Sequence, residues 1–189
     1  MTPNTGTRTL ETPRLILRRF TAEDAQPMFD RWASDPLVTE HLTWPPHGSV
    51  DVTRMLLADW VARYEQPDYY NWAIGLKGLD GPIGGISVVQ LIESPARGVR
   101  CGEIGYCMGR AWWGQGLMPE AFRAVIAYLF DTAGFMRLRA SHAAANPKSG
   151  RVMQKVGMTR CGVERRAGAD NTGIVDMVIY DMLPDDPRP

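Results

Sequence analysis

Residues 103–121 read EIGYCMGRAWWGQGLMPEA, and they join a predicted β-strand to a predicted helix. The helix is expected after Pro119, because apolar residues from Phe122 to Phe130 recur on one helical face. The glycines before it permit a positive φ, and the first turn of a helix carries N–H groups that have no partner within the helix. The stretch therefore predicts an anion-binding loop at a helix N-terminus, with no need for a lysine.

This loop differs from two common phosphate-binding motifs. A Walker A loop ends in G-K-[ST], which is missing here, and a dinucleotide fingerprint requires a third glycine where this chain has Pro119. A nucleotide-binding oxidoreductase is therefore disfavoured.

Composition narrows the class of protein further. The chain has 189 residues, which suits one domain, and its 44% apolar content excludes a disordered or collagen-like protein. Its 21 basic and 21 acidic residues cancel, so we expect neither a nucleic-acid nor a membrane partner. The three cysteines and three histidines lack metal-ligand spacing, so no metal is expected. No signal peptide or spanning segment is evident, which predicts a cytoplasmic protein.

Apolar periodicity outside the loop predicts a single α/β domain with a mixed sheet and helices on its faces. Residues 1–9 are expected to form a flexible N-terminal tail, 10–183 the domain, and 184–189 a flexible C-terminal tail. The predicted strands are 15–20, 71–76, 83–92, 103–108, 136–143, 160–166 and 174–182, and the predicted helices are 22–35, 50–64, 119–134 and 147–156.

Several stretches resemble one family. The strand at 103–107, the loop WGQG at 113–116 and the pair Glu120-Ala121 resemble the acetyl-CoA-binding motif of the GNAT N-acetyltransferases. The segments TPRL at 12–15, PIG at 82–84 and NPKSGRVMQKVGM at 146–158 resemble its RimJ/RimL-like branch, the ribosomal-protein alanine N-acetyltransferases. The similarity runs from about residue 10 to 182. It implies a GNAT fold: a mixed, mostly antiparallel twisted sheet of about seven strands, with helices on both faces and a splayed central strand pair.

The resemblance also implies a site for acetyl-CoA, the expected cosubstrate. In the family the strand before the loop is bulged and splays from its parallel neighbour, and the pantetheine arm lies between the two. Trp113 and Met118 depart from the family's Q/R-x-x-G-x-G/A loop, so backbone N–H groups are expected to bind the pyrophosphate. The implied cofactor-binding residues are Cys107, Met108, Trp113, Gly114, Gln115, Gly116, Leu117, Met118, Asn146 and Ser149.

Amine attack on a thioester needs a base, an oxyanion donor and a way for the thiolate to leave. Glu103 is the first candidate base, with an ion pair to an arginine as the alternative, and Asp176 is the second; a base acting through water stays open. The branch's glutamate falls near Gly168, so that role does not carry over. An N–H near Cys107 or Met108 is implied for the oxyanion.

The departing thiolate can take a proton from a nearby donor. The family's tyrosine position is occupied by Met153, which cannot donate a proton, so the resemblance offers Ser149 instead. Ser149 and Asn146 could equally form a helix cap, and a thiolate can also leave unprotonated.

Trp44, His47 and Glu103 are the expected contacts of the acceptor, although a tryptophan more often packs in a core. The resulting hypothesis is an acetyl-CoA-dependent N-acetyltransferase that acts on a primary amine, either a protein N-terminus or a small molecule, by direct attack in a ternary complex. The alternative is an acyl-CoA-binding module with little or no catalytic activity. A homodimer stays open.

Overall fold

The computed structural model describes residues 5–94 and 98–189 of the chain. Eight strands form one sheet in the order β1-β2-β3-β4-β5-β6-β8-β7, and only the β5–β6 pair is parallel. The mixed, mostly antiparallel sheet is thus confirmed, and the strand beyond the expected seven is the two-residue β1. The strands are β1 (Leu10–Glu11), β2 (Leu15–Arg18), β3 (Asn71–Leu76), β4 (Pro82–Ser94), β5 (Val99–Met108), β6 (Arg137–Ala143), β7 (Thr159–Asp170) and β8 (Gly173–Met182).

Helices cover both faces of the sheet, as expected. The first predicted helix is divided, because a 3₁₀ turn at Ala22–Asp24 precedes α1 and a π-helical turn at Phe29–Ala33 follows it. One core cluster contains α4 and α5, and a second contains α1 and α3. The helices are α1 (Ala25–Met28), α2 (Pro36–Thr39), α3 (Val50–Arg63), α4 (Leu117–Asp131) and α5 (Pro147–Lys155).

The parallel strands β5 and β6 separate toward their carboxyl ends. Their pairing ends at Ile104 opposite Ala140, whereas β5 continues along β4 to Met108 and β6 continues along β8 to Ala143. The diverging ends confirm the expected splayed pair, and they leave a gap in the middle of the sheet.

The bulge lies in β4 rather than in β5, which corrects the expectation for the strand before the loop. Val88 is opposite Ile104 and Gln90 is opposite Glu103, so Val89 is the extra residue. Gly105 makes room for it, since a Cβ atom there would lie 2.7 Å from Val89 Cγ1.

Both expected tails make specific contacts where the structure describes them. Thr5 and Thr7 are buried, and the Tyr128 hydroxyl donates to the Gly6 carbonyl at 2.7 Å. At the other end Arg188 lies 2.9 Å from Asp131. Buried polar contacts and an ion pair thus connect the segments 5–9 and 184–189 to the domain, and the flexibility of both tails stays a prediction. Residues 1–4 lie outside the described residues.

Two further observations concern the ranges 5–94 and 98–189. No helix there combines the length and the apolar character that crossing a membrane requires. These ranges contain no group of three or more His, Cys, Asp or Glu residues that could hold a metal ion.

Candidate active site

A cleft of about 850 Å³ opens where β5 and β6 diverge. One end is formed by residues 113–119, which contain the glycine loop and the start of α4. The opposite end is formed by residues 37–42, which contain most of α2 and the segment after it. We call these the cofactor end and the acceptor end.

The cofactor end has the backbone geometry of an anion site. Gly114 and Gly116 have φ of 76° and 75°, and Gly116 is the N-cap of the 15-residue helix α4. In the part of the chain that the structure describes, the N–H groups of residues 114–118 donate no hydrogen bond to protein. These N–H groups, together with the helix dipole, can therefore receive a pyrophosphate.

A polar clamp joins this loop to the start of the chain. Glu120 accepts hydrogen bonds from the Thr12 hydroxyl at 2.6 Å and from Arg14 Nε at 2.6 Å, and Arg14 Nη1 donates to the Gln115 carbonyl at 3.0 Å. Burial acts to raise the pKa of Glu120, but these hydrogen bonds outweigh it and lower the pKa below its ordinary value. The carboxylate is thus ionised and holds the loop in position.

All of the predicted cofactor-binding residues except Gln115 line the cleft. The Gln115 side chain instead donates to the Ala111 carbonyl at 2.8 Å. Trp113, which replaces the usual basic or amide residue, donates its indole N–H to the Met108 carbonyl at 2.6 Å, and Lys148 Nζ lies 5.2 Å from its ring centroid. The tryptophan therefore connects β5 to α5 across the loop.

A hydroxyl pair lies in the gap between the diverging strands. The Tyr106 hydroxyl donates to the Ser149 carbonyl at 2.9 Å and also lies 2.9 Å from Ser149 Oγ, and both residues line the cleft. Burial raises the pKa of Tyr106, so the phenol stays protonated at physiological pH. The alternative role for Ser149 is also visible, since its N–H donates to Asn146 Oδ1 at 3.4 Å. Sequence analysis missed Tyr106, whose position on a strand gave no signal of a proton-donor role.

Cys107 lines the same gap but is not a suitable nucleophile. Burial of the thiol raises the pKa of Cys107 to about 12 and outweighs a hydrogen bond with the Gly85 backbone. The thiol therefore stays protonated, and the site favours direct transfer over an acyl-enzyme.

The structure places both predicted bases away from the cleft. Glu103 borders a separate cavity of about 90 Å³, where it accepts a hydrogen bond from Ser141 Oγ at 2.8 Å and lies 3.8 Å from Arg139 Nε. Asp176 is exposed, and its carboxylate accepts from the Arg166 N–H at 2.8 Å, beside a register shift between β7 and β8. Each carboxylate therefore has a partner within the protein, which agrees with a structural rather than a catalytic role.

The two predicted acceptor contacts, Trp44 and His47, do not line the cleft either. His47 is buried, with Nδ1 2.8 Å from Thr53 Oγ1, and burial lowers its pKa. Trp44 is partly buried and packs against the second core cluster. The same loop does reach the cleft through His41, which lies 2.8 Å from Asp170. Sequence analysis missed this pair because 129 residues separate its members.

Comparison with known proteins agrees with this architecture. The family described as "Acetyltransferase (GNAT) domain" matches residues 14–159. An uncharacterized N-acetyltransferase, YoaA of Bacillus subtilis, is 28% identical over 174 residues, covering 92% of this chain and 96% of the relative. The [Ribosomal protein uS5]-alanine N-acetyltransferase of Escherichia coli is 27% identical over 159 residues, covering 81% and 79%.

Solved structures have the same fold. RimL, described as a ribosomal L7/L12 alpha-N-protein acetyltransferase in complex with coenzyme A, has a TM-score of 0.80 at 17% identity, covering 93% of this chain and 98% of that one. The chain belongs to the GNAT acetyltransferase family. Membership confirms the predicted fold, the enzyme class and acetyl-CoA as cosubstrate.

Proposed function

We propose that this protein transfers the acetyl group of acetyl-CoA to a primary amine by direct attack within a ternary complex. The observation that carries the proposal is the set of N–H groups at residues 114–118, which donate to no protein acceptor in the described chain; all of these residues except Gln115 line the cleft. They would bind the pyrophosphate and direct the pantetheine arm between β5 and β6.

The cleft charges support two different ligands at its ends. Lys148, Arg151 and Lys155 line it on the α5 side, near the loop, and favour the phosphates of coenzyme A. Glu40 lines the acceptor end and favours a cationic amine. The protonated thiol of Cys107 supports attack by the amine itself, because an acyl-enzyme would need a thiolate.

For the leaving thiolate, the proposal assigns the proton to the Tyr106–Ser149 hydroxyl pair in the gap of the sheet. This pair supplies the donor that Met153, a buried side chain, cannot supply. We infer that the acceptor is either a protein N-terminus, as named for the E. coli relative, or a small molecule. The expected cytoplasmic location and the open question of a homodimer stay predictions.

Two measurements test this function. Coenzyme A is titrated calorimetrically into the protein, and free thiol is then followed with acetyl-CoA and three amines: a peptide that begins with alanine, an aminoacyl amide and a diamine. We expect saturable binding of coenzyme A and thiol release that depends on one of the amines. Binding without amine-dependent release would favour the acyl-CoA-binding module, and no binding would contradict the proposed cosubstrate site.

A further inference from the structure

At the acceptor end, the side chain of His41 contacts the buried carboxylate of Asp170. His41 Nδ1 lies 2.8 Å from Asp170 Oδ2, and the Asp170 side chain is only 4% exposed. The other carboxylate oxygen accepts from the Thr172 N–H and hydroxyl at 2.8 and 2.6 Å. Burial acts to raise the pKa of Asp170, but the hydrogen bonds from Thr172 and His41 outweigh it and lower the pKa. The carboxylate is therefore ionised and fixed in position.

The position of Asp170 determines the form of the imidazole. A carboxylate can only accept at Nδ1, so the neutral ring carries its proton there and Nε2 is left with a lone pair. His41 lines the cleft. Within residues 5–94 and 98–189, the ionisable groups that contact the ring are Asp170 and Glu40, whose Oε2 is 4.0 Å from Nε2. The ring therefore combines an oriented base with an adjacent negative charge.

A second contact fixes the segment that carries this histidine. Asn171, in the turn between β7 and β8, donates from Nδ2 to the carbonyls of Thr39 and Trp44, each at 2.8 Å. The two carbonyls lie on either side of His41 in the chain. The turn thus holds the loop in place while Asp170 holds the ring, which is the preorganisation that proton transfer requires.

We propose that His41 is the general base of the acetyl transfer, with Asp170 as its positioning residue and Glu40 as the group that attracts the cationic amine. The assignment rests on the proposed function. It goes beyond the bases considered from sequence, because Glu103 is occupied by Ser141 and lies outside the cleft, whereas His41 lines it.

The cationic amine first loses one proton to solvent. The neutral amine nitrogen then attacks the thioester carbonyl and forms the C–N bond, and the carbonyl π electrons move to oxygen. His41 Nε2 then takes one proton from the tetrahedral adduct's nitrogen. Collapse of the adduct restores the C=O bond and breaks the C–S bond, so the thiolate of coenzyme A leaves with that electron pair. The imidazolium returns its proton to solvent, and its charge is stabilised by Asp170 until then.

The experiment compares pH profiles of kcat/KM for four variants, using the amine of the three-member panel that the wild type acetylates fastest. His41→Gln is expected to lower kcat/KM by at least about 100-fold and to remove the acid limb of the profile. Asp170→Asn is expected to lower kcat/KM about tenfold while keeping the limb, because the ring loses the acceptor that orients its Nδ1–H. Asp51→Asn, an exposed change on α3, is the matched control and should leave the profile unchanged.

Glu103→Gln is the competing arm of the same experiment. The inference is overturned if His41→Gln retains the wild-type limb, or if Glu103→Gln removes it instead. Binding of coenzyme A by His41→Gln within about twofold of wild type would show that the variant is folded and that its loss is chemical. An inactive wild type on all three amines would refute the proposed function together with the base, whereas an active wild type with a normal His41→Gln profile would refute only the base.

Discussion

The two ends of the cleft are assembled from the chain in different ways. The cofactor end comes from one continuous stretch, 113–119, which lies beside α5 and presents backbone N–H groups. The acceptor end joins the loop around His41 to the β7–β8 turn, and its contacts span 127 to 132 residues. Binding by backbone can thus be encoded locally, whereas side-chain chemistry at the acceptor end depends on long-range packing.

The ends also differ in charge. A helix N-terminus and the basic side chains of α5 surround the cofactor end, whereas Glu40 and Asp170 stand at or behind the acceptor end. This division suits an anion at one end and a cation at the other. Changes at the cofactor end should therefore alter the dissociation constant of coenzyme A. Changes at the acceptor end should alter the KM of the amine.

The largest effect on the affinity for coenzyme A is expected for Gly116→Val. A side chain at φ of 75° costs roughly 1–2 kcal/mol and would displace the N–H groups, so coenzyme A affinity should fall about 10- to 100-fold by calorimetry. Gly78→Val is the control, because its φ is also positive, at 84°, and nothing lies within 4 Å of an added Cβ. Equal affinity of both variants for coenzyme A would contradict the binding of coenzyme A by the N–H groups at the cofactor end.

Glu120→Gln should weaken coenzyme A binding about three- to tenfold, since hydrogen bonds to charged groups contribute about 1.5–3 kcal/mol and only part of that reaches the loop. The pKa of Glu120 is below its ordinary value in the folded protein, so the ionised form stabilises the fold. That stability is present above the ordinary pKa and is lost as pH falls through the lowered one.

The stability difference between wild type and Glu120→Gln should therefore shrink in acid denaturation, measured as the midpoint of unfolding at pH 7 and at successively lower pH. Asp59→Asn is the control, because Asp59 forms an exposed ion pair with Arg63 at 3.8 Å on α3 and takes no part in the clamp. A constant difference at all pH values would contradict the clamp.

Tyr106→Phe tests the region between the two ends. It keeps the ring packing with Phe122 at 5.4 Å and removes the hydroxyl beside Ser149. We expect kcat to fall about fivefold, less than the 10² or more of a strict general acid, because a thiolate is a tolerable leaving group. Coenzyme A affinity and amine KM should stay unchanged. Met153→Leu, a buried change on α5, is the control, and an equal fall in its kcat would point to packing instead.

The smallest effect is expected for Asn171→Ala. Loss of its hydrogen bonds to the carbonyls of Thr39, Leu42 and Trp44, each contributing about 0.5–1.5 kcal/mol, should loosen the loop around His41 and raise the KM of the amine about two- to threefold. The dissociation constant of coenzyme A should not change. Gln26→Ala removes a comparable exposed amide contact, to Asp30, and serves as the control. A change in coenzyme A affinity would show that the two ends are coupled.

Sequence analysis was most successful where one element carries its own signal. The apolar face of α4 and the glycines before it predicted the helix and the loop, because amphipathic periodicity and positive φ are local properties. It was less successful at β1, which has only two residues, and at the first helix, which the structure divides into three turns. The bulge was assigned to the wrong strand because the extra residue, Val89, depends on space above Gly105.

Site residues followed the same rule. The residues near Gly116 that the resemblance implied for cofactor binding line the cleft, apart from Gln115, because consecutive residues must lie together; their contact with coenzyme A stays a prediction. Glu103 was expected at the cleft from its strand, but strand position alone does not say which cavity a carboxylate meets. The contact between His41 and Asp170 could not be predicted, because no sequence feature near His41 indicates a partner 129 residues away.

The amino-acid order alone predicted a mixed α/β domain and an anion site at the start of α4, because these arise from periodicity, glycine geometry and helix ends, and the resemblance to GNAT proteins implied the acetyltransferase fold. Packing alone determined which titratable groups line the acceptor end, since His41 lies more than a hundred residues along the chain from the Asp170 carboxylate and the Asn171 amide that hold it and its loop.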